Sequence, residues 1–101
     1  MMAFKAIGTE PFWSITTSER EVAYSTPELS DGVRLNVGSG YYKDGSTGEE
    51  RISFSATLNG EVLVLQIASG TCSDGMSDTV YPYTAKLRIG QRTEQGCAKK
   101  L

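Results

Sequence analysis

The chain has 101 residues, 39% hydrophobic and 22% charged, with a net charge of −2. That composition suits one small globular domain with a modest core, and its basic residues are scattered apart from Lys99-Lys100, which argues against nucleic acid as a partner. No apolar run approaches the ~20 residues that span a bilayer, and the amino end, MMAFKAIG, lacks the apolar core of a signal peptide.

The first unusual run is GTEPFW, from Gly8 to Trp13. Pro11 disfavours helix at Glu10, and in an extended chain Phe12 and Trp13 point to opposite faces. As the chain's one tryptophan, Trp13 is the expected core anchor; the rival reading has it line a groove. FWSITT and EVAYS then flank SER as a hairpin, and VRLNV is a short strand. Pro27 and the Ser30–Gly32 run SDG punctuate the chain between them. Gly38 to Glu50, GSGYYKDGSTGEE, reads as the most loop-like segment.

The clearest unit is RISFSATLNGEVLVLQIA. Asn59-Gly60 is a strong hairpin signal, because a type I′ turn needs positive φ at both central residues. Pairing outward from it sets Ala56 against Leu63, Phe54 against Leu65 and Ile52 against Ile67, all on one face. Ser53 with Gln66, Ser55 with Val64 and Thr57 with Val62 occupy the other. YPYTAKLRIGQRTEQGCA reads as a second hairpin about Gly90-Gln91. A two-residue II′ loop would put Cys97 on the polar face; a three-residue loop would set it beside Ala85 on the apolar face, and the second is preferred as the better seat for a buried sulfur. With no sustained 3.6-residue period, these elements predict a single all-β domain, residues 1–101, as a small antiparallel barrel or sandwich of about seven or eight short strands.

Between the hairpins lies GTCSDGMSDTVYPY, Gly70 to Tyr83. Its aspartates, Asp74 and Asp78, lack the alternate-position oxygens and closing Glu of a calcium loop. Ser and Asp before Gly more simply form a tight turn in which side chains cap backbone donors. Tyr81-Pro82-Tyr83 reads as an entry to a strand, with the proline marking an edge. The two cysteines, Cys72 and Cys97, form a disulfide, a pair of buried thiols, or part of a metal or redox site. The absence of histidine and of Cys-x-x-Cys weakens the metal and redox readings, so a disulfide and an oxidising compartment are expected.

Without histidine, Ser-His-Asp, Cys-His and His-rich zinc chemistry are excluded, and no Gly-rich loop opens a helix to hold a nucleotide. No metal or cofactor is expected. A pair of carboxylates remains able to attack glycans; Glu10, Asp74 and Asp78 are the candidates by type, with turn-capping and solvent exposure as the plainer reading. A monomer is expected, with a contact surface formed by Glu10, Trp13, Asp74, Asp78 and Tyr81.

GTEPFW, the later CSDGMSDTVYPYTAKL and the final Gly96-Cys97 together resemble a family of small bacterial envelope proteins, lipoproteins or periplasmic domains, some found beside META/HslJ-type or lysozyme-inhibitor-like domains. The resemblance runs from Gly8 to Cys97. It implies export to the periplasm or an outer-membrane anchor, with the export signal removed, and it supports the disulfide. It implies no activity, and it makes an envelope protein or glycan the expected partner. A noncatalytic binding or inhibitor-like module and a carboxylate-dependent glycan enzyme both stay open.

Overall fold

Alternating apolar residues broken by short turns give nine antiparallel strand segments. In chain order they are β1 (Phe4–Thr9), β2 (Phe12–Thr17), β3 (Glu21–Thr26), β4 (Leu29–Asn36), β5 (Gly38–Lys43), β6 (Glu50–Leu58), β7 (Glu61–Ser73), β8 (Val80–Ile89) and β9 (Arg92–Lys100). This computed structural model describes residues 3–9, 12–18, 21–36, 38–43, 50–73, 75 and 79–101, and none of these is helical.

The sheet order is β4-β3-β2-β1-β9-β8-β7-β6-β5. Each strand therefore lies beside its chain neighbours except β4 and β5, which stand at the two ends of the order, and the last strand pairs with the first. A single residue separates β4 from β5, too few for a hairpin. Residues 29–43 thus act as one run whose first half pairs with β3 and whose second half pairs with β6. Counted that way there are eight strands, rolled into a nearly closed up-and-down barrel. Eight strands leave an interior just wide enough for side chains to fill.

They fill it with one cluster that includes Phe4, Trp13, Ile15, Val22, Phe54, Leu65, Tyr83 and Leu87. Phe4 sits at its centre of contacts, edge-on to Tyr83 at 5.3 Å and to Phe54 at 6.3 Å between ring centroids. Its backbone N–H donates to the buried Thr17 hydroxyl at 2.9 Å, which tethers β1 to the end of β2.

The β6–β7 hairpin has the expected register throughout, and Asn59 and Gly60 take φ of 50° and 83° as a I′ turn requires. Three expectations need correction. Gly38–Lys43 is strand β5 rather than loop, because the backbone of 38–43 completes the ladder beside β6. Ser30–Gly32 lies inside β4, where an irregularity in the β3–β4 ladder and a φ of 77° at Gly32 absorb the turn-like residues. The third is the β8–β9 turn. Ile89 pairs with Arg92, so the loop is the two-residue Gly90-Gln91 form, and Cys97 stands opposite Thr84 on the outer face. It is buried there all the same, 2% exposed.

The close approach of β1 to its neighbours explains the glycines of the two unusual motifs. A Cβ on Gly8 would overlap the Trp13 indole, and one on Gly96 would overlap the Ile7 carbonyl oxygen. β1 and β2 thus pair with Gly8 opposite Trp13, where the glycine makes room for the ring over the sheet.

Candidate functional site

The site begins with the irregular end of one ladder. β7 and β8 pair regularly from Leu63 with Ile89 to Ser69 with Tyr83, then shift and resume at Cys72 with Tyr81. Pro82 falls at that shift, where its missing N–H costs no ladder bond; it marks a bulge, not the sheet edge expected. Beyond the shift, residues 70–73 and 80–82 form a short arm.

The Cys72–Cys97 disulfide shows where the arm goes. The two Cα atoms are 5.6 Å apart, although Cys97 belongs to β9, on the far side of β8. Strands two apart in a flat sheet are separated by roughly 9–10 Å. The arm is therefore folded over the outer face, and this is what buries Cys97. The Cys72 sulfur lies 3.4 Å from the Gly96 carbonyl oxygen; a bridged sulfur carries no proton, so this is a packing contact and not a hydrogen bond.

A groove of about 730 Å³ opens on the outer face of β6 to β9, with Cys72 of the arm in its wall. Its described lining comes from this arm and four neighbouring strands, with the core residues Ile52, Ile67 and Ala85 behind its outward side chains. Two outward rows supply its side chains. Arg51, Ala68 and Thr84 form one; Ser53, Gln66, Lys86 and Gln95 form the other. Gln66 and Lys86 also border a second depression of about 150 Å³, completed by Val64, Arg88 and Thr93. The register that aligns Ser53, Gln66, Lys86 and Gln95 in one row across four strands is what makes the site continuous.

Its electrostatics are one-sided. The outer faces of β1 and β6 to β9 carry Lys5, Arg51, Lys86, Arg88 and Lys99, and no described carboxylate side chain stands beside Lys86 or Arg88. Lys5 and Lys99 are exposed and directly opposed across the β1–β9 ladder. Like charges in that position repel. These cations are scattered in sequence and gathered only by the topology.

A second polar group lies inside the barrel. Glu94 faces inward opposite Leu87, and its Oε1 accepts from Arg92 Nε at 3.2 Å. The Arg92 side chain also bonds Tyr24, whose phenol is pushed up from its ordinary pKa by burial first, with Glu94 and Glu28 raising it further and Arg92 opposing. Glu94 Oε2 and Trp13 Nε1 are buried with no hydrogen-bond partner among the described residues. One inward carboxylate held by an arginine is suited to structure, since two-carboxylate glycoside chemistry needs a facing partner.

Of the expected contact residues, Trp13 is 1% exposed and belongs to the core, so it is not a surface contact. Tyr81 is half-buried on the arm, paired with Cys72. Glu10, Asp74 and Asp78 lie outside the described residues. The Cys72 end of the Ser73–Asp78 loop is bridged to Cys97, which faces Ile7 beside Gly8, so that end of the loop lies close to the start of GTEPFW, whereas Tyr81 and Trp13 stand on β8 and β2 with β9 and β1 between them. The turn chemistry appears in part, since Ser73 Oγ accepts from the Gly75 N–H at 3.3 Å.

Compared with known proteins, the chain matches no family model, no curated protein and no solved structure. Among the described residues no helix is long and apolar enough to cross a membrane.

Proposed function

We propose that the protein is a noncatalytic binding module of the bacterial cell envelope, and that the outer-face groove is its binding site. The observation that carries this reading is the groove itself. Its volume falls in the range of small-molecule sites, and its wall is held by a disulfide-anchored arm, so it is ordered before a ligand arrives. Its described lining offers amide, hydroxyl and cationic groups beside apolar Ala68 and, among the described residues, no carboxylate, which suits holding a ligand better than acid–base cleavage of one. The disulfide supports an oxidising compartment. The likeness of GTEPFW, CSDGMSD and the final Gly-Cys to envelope proteins supports the periplasm or an outer-membrane anchor.

The test uses the oxidised chain with purified cell-wall glycan fragments. Retention of fragments without new reducing ends, lost in Ser53→Trp where a bulky ring fills the groove, is the expected outcome. Release of new reducing ends would overturn the noncatalytic reading and support the carboxylate enzyme. Unchanged retention in Ser53→Trp would remove the groove as the site. Inhibition of a c-type lysozyme, measured in parallel, separates an inhibitor-like module from a glycan binder.

A further inference from the structure

We infer that the groove takes a short anionic ligand, one bearing at least two oxyanion groups, phosphate or carboxylate, and that Lys86 and Arg88 are its charge-reading residues. This rests on the groove being the binding site and adds the ligand's chemical class.

Lys86 stands on the ridge between the two depressions and lines both. Its cross-strand neighbours are Gln66 on one side and Gln95 on the other. An ammonium flanked by two carboxamides can turn N–H donors toward one ligand, and oxyanions are the groups that such donors satisfy. Arg88 lies two residues along the same strand and face, roughly 7 Å away, and its planar fork can hold a second oxyanion in the smaller depression. Thr93 faces Arg88 across the ladder and adds a hydroxyl.

The charge pattern points the same way. A chain of net charge −2 gathers Lys5, Arg51, Lys86, Arg88 and Lys99 on the outer face of these strands, where no described carboxylate side chain answers Lys86 or Arg88. The number of cations also bounds the ligand. Nucleic-acid binders commonly neutralise about 6–10 phosphates. Three cations, Arg51, Lys86 and Arg88, border the groove and the neighbouring depression, which suits a short anionic oligomer or metabolite instead.

The test is an amide chemical-shift titration of the full oxidised chain at low salt. Tripolyphosphate and trigalacturonate serve as the phosphate and carboxylate probes, and maltotriose as the neutral control. The expected result is that at least one anionic probe shifts the amides of Gln66, Lys86 and Gln95. Its affinity should fall roughly tenfold or more in Lys86→Gln/Arg88→Gln and fall again as salt rises. Which probe binds identifies the oxyanion. Maltotriose binding at the same amides with equal affinity in both proteins would overturn the anionic assignment and leave the groove standing as a site. Anion binding that maps elsewhere, is unchanged in the double variant, or is absent for both probes would also overturn it. Retention of cell-wall fragments lost in Ser53→Trp then reports on the groove separately. Both substitutions lie on exposed positions, and matching unfolding curves for variant and parent establish that the fold is unchanged.

Discussion

The inner and outer faces of β6 to β9 are built from alternate residues of the same strands, yet they are governed by different physics. Inside, Ile52, Phe54, Leu65, Ile67 and Leu87 are almost fully buried, and shape and hydrocarbon burial decide what fits. Outside, Ser53, Gln66, Lys86 and Gln95 line a groove whose form comes from an arm clamped by one covalent bond. The interior is redundant, with many contacts supporting each residue. Among the described residues, the Cys72–Cys97 bridge is the bond that pins the arm to the outer face. Stability should therefore be concentrated inside and binding capacity outside, and substitutions on the two faces should separate the two properties.

The largest expected effect tests the inner face. Phe54→Ala removes a ring that is 2% exposed and packed against Phe4, and should cost about 3–5 kcal/mol in urea unfolding. Ser55→Ala, on the neighbouring exposed position, should change stability by less than ~1 kcal/mol. Equal costs at the two positions would mean that the faces are assigned wrongly.

The disulfide tests the outer face. Cys72→Ser with Cys97→Ser opens a loop of sequence separation 25 and should lower stability by roughly 3–4 kcal/mol in the chain-entropy model. The far-UV spectrum should stay that of a β-barrel while groove binding is lost, because the arm is freed and the interior is not. Intact mass before and after reduction verifies the bridge in the parent: two thiols alkylated without reductant would contradict it. Binding retained in the double variant would show that the arm is held by something other than the disulfide.

A smaller effect tests where the faces meet. Gly8→Ala places a methyl against the Trp13 indole and should cost about 1–3 kcal/mol with a shift in tryptophan fluorescence. Gly96→Ala meets the Ile7 carbonyl, which is backbone and yields less readily than a side chain, so it should cost more than Gly8→Ala. The reverse order would show that β1 can move away from β9 more easily than Trp13 can turn.

How much of this was legible in the sequence follows from the range of the signals. Asn59-Gly60 and the alternation beside it are local, and they gave the β6–β7 register residue for residue. The second hairpin misled because burial was equated with the inner face. Gly90 takes φ of 61°, as the first residue of a II′ loop does. That loop sends Cys97 outward, where the arm buries it, and sends Glu94 inward, where its charge meets Arg92. The sequence offered no apolar alternation over RTEQGC to contradict the wrong choice. The groove was hidden for another reason: Gln66, Lys86 and Gln95 each read as an ordinary polar-face residue. They form one row only when β7, β8 and β9 are aligned, and pairing between hairpins is a long-range property. The dense reactive-looking run at Cys72 drew the functional reading to Asp74 and Asp78, whereas its clearest described contribution is Cys72 as the anchor of the groove wall.

The finest distinction concerns the polar group inside the barrel. Burial raises the Tyr24 pKa above the usual phenol value of 10.0, with Glu94 and Glu28 adding to the shift and Arg92 opposing it. The folded protein therefore favours the neutral phenol more than the unfolded chain does. The unfolded chain ionises first as pH rises, so the contribution to stability is complete below about pH 10 and is lost as pH climbs through the higher folded value. Urea unfolding at pH 9 and pH 11 should show a loss of stability in the parent. Tyr24→Phe has no phenol to ionise, so it should lose less over the same interval even if it starts less stable for want of the Arg92 bond. Lysines and other tyrosines titrate in that range in both proteins, so the difference between the two losses is the quantity that decides. A Phe variant that loses as much as the parent would place the alkaline sensitivity elsewhere, and would leave the Arg92–Glu94 pair as the element inside the barrel that holds charge in place.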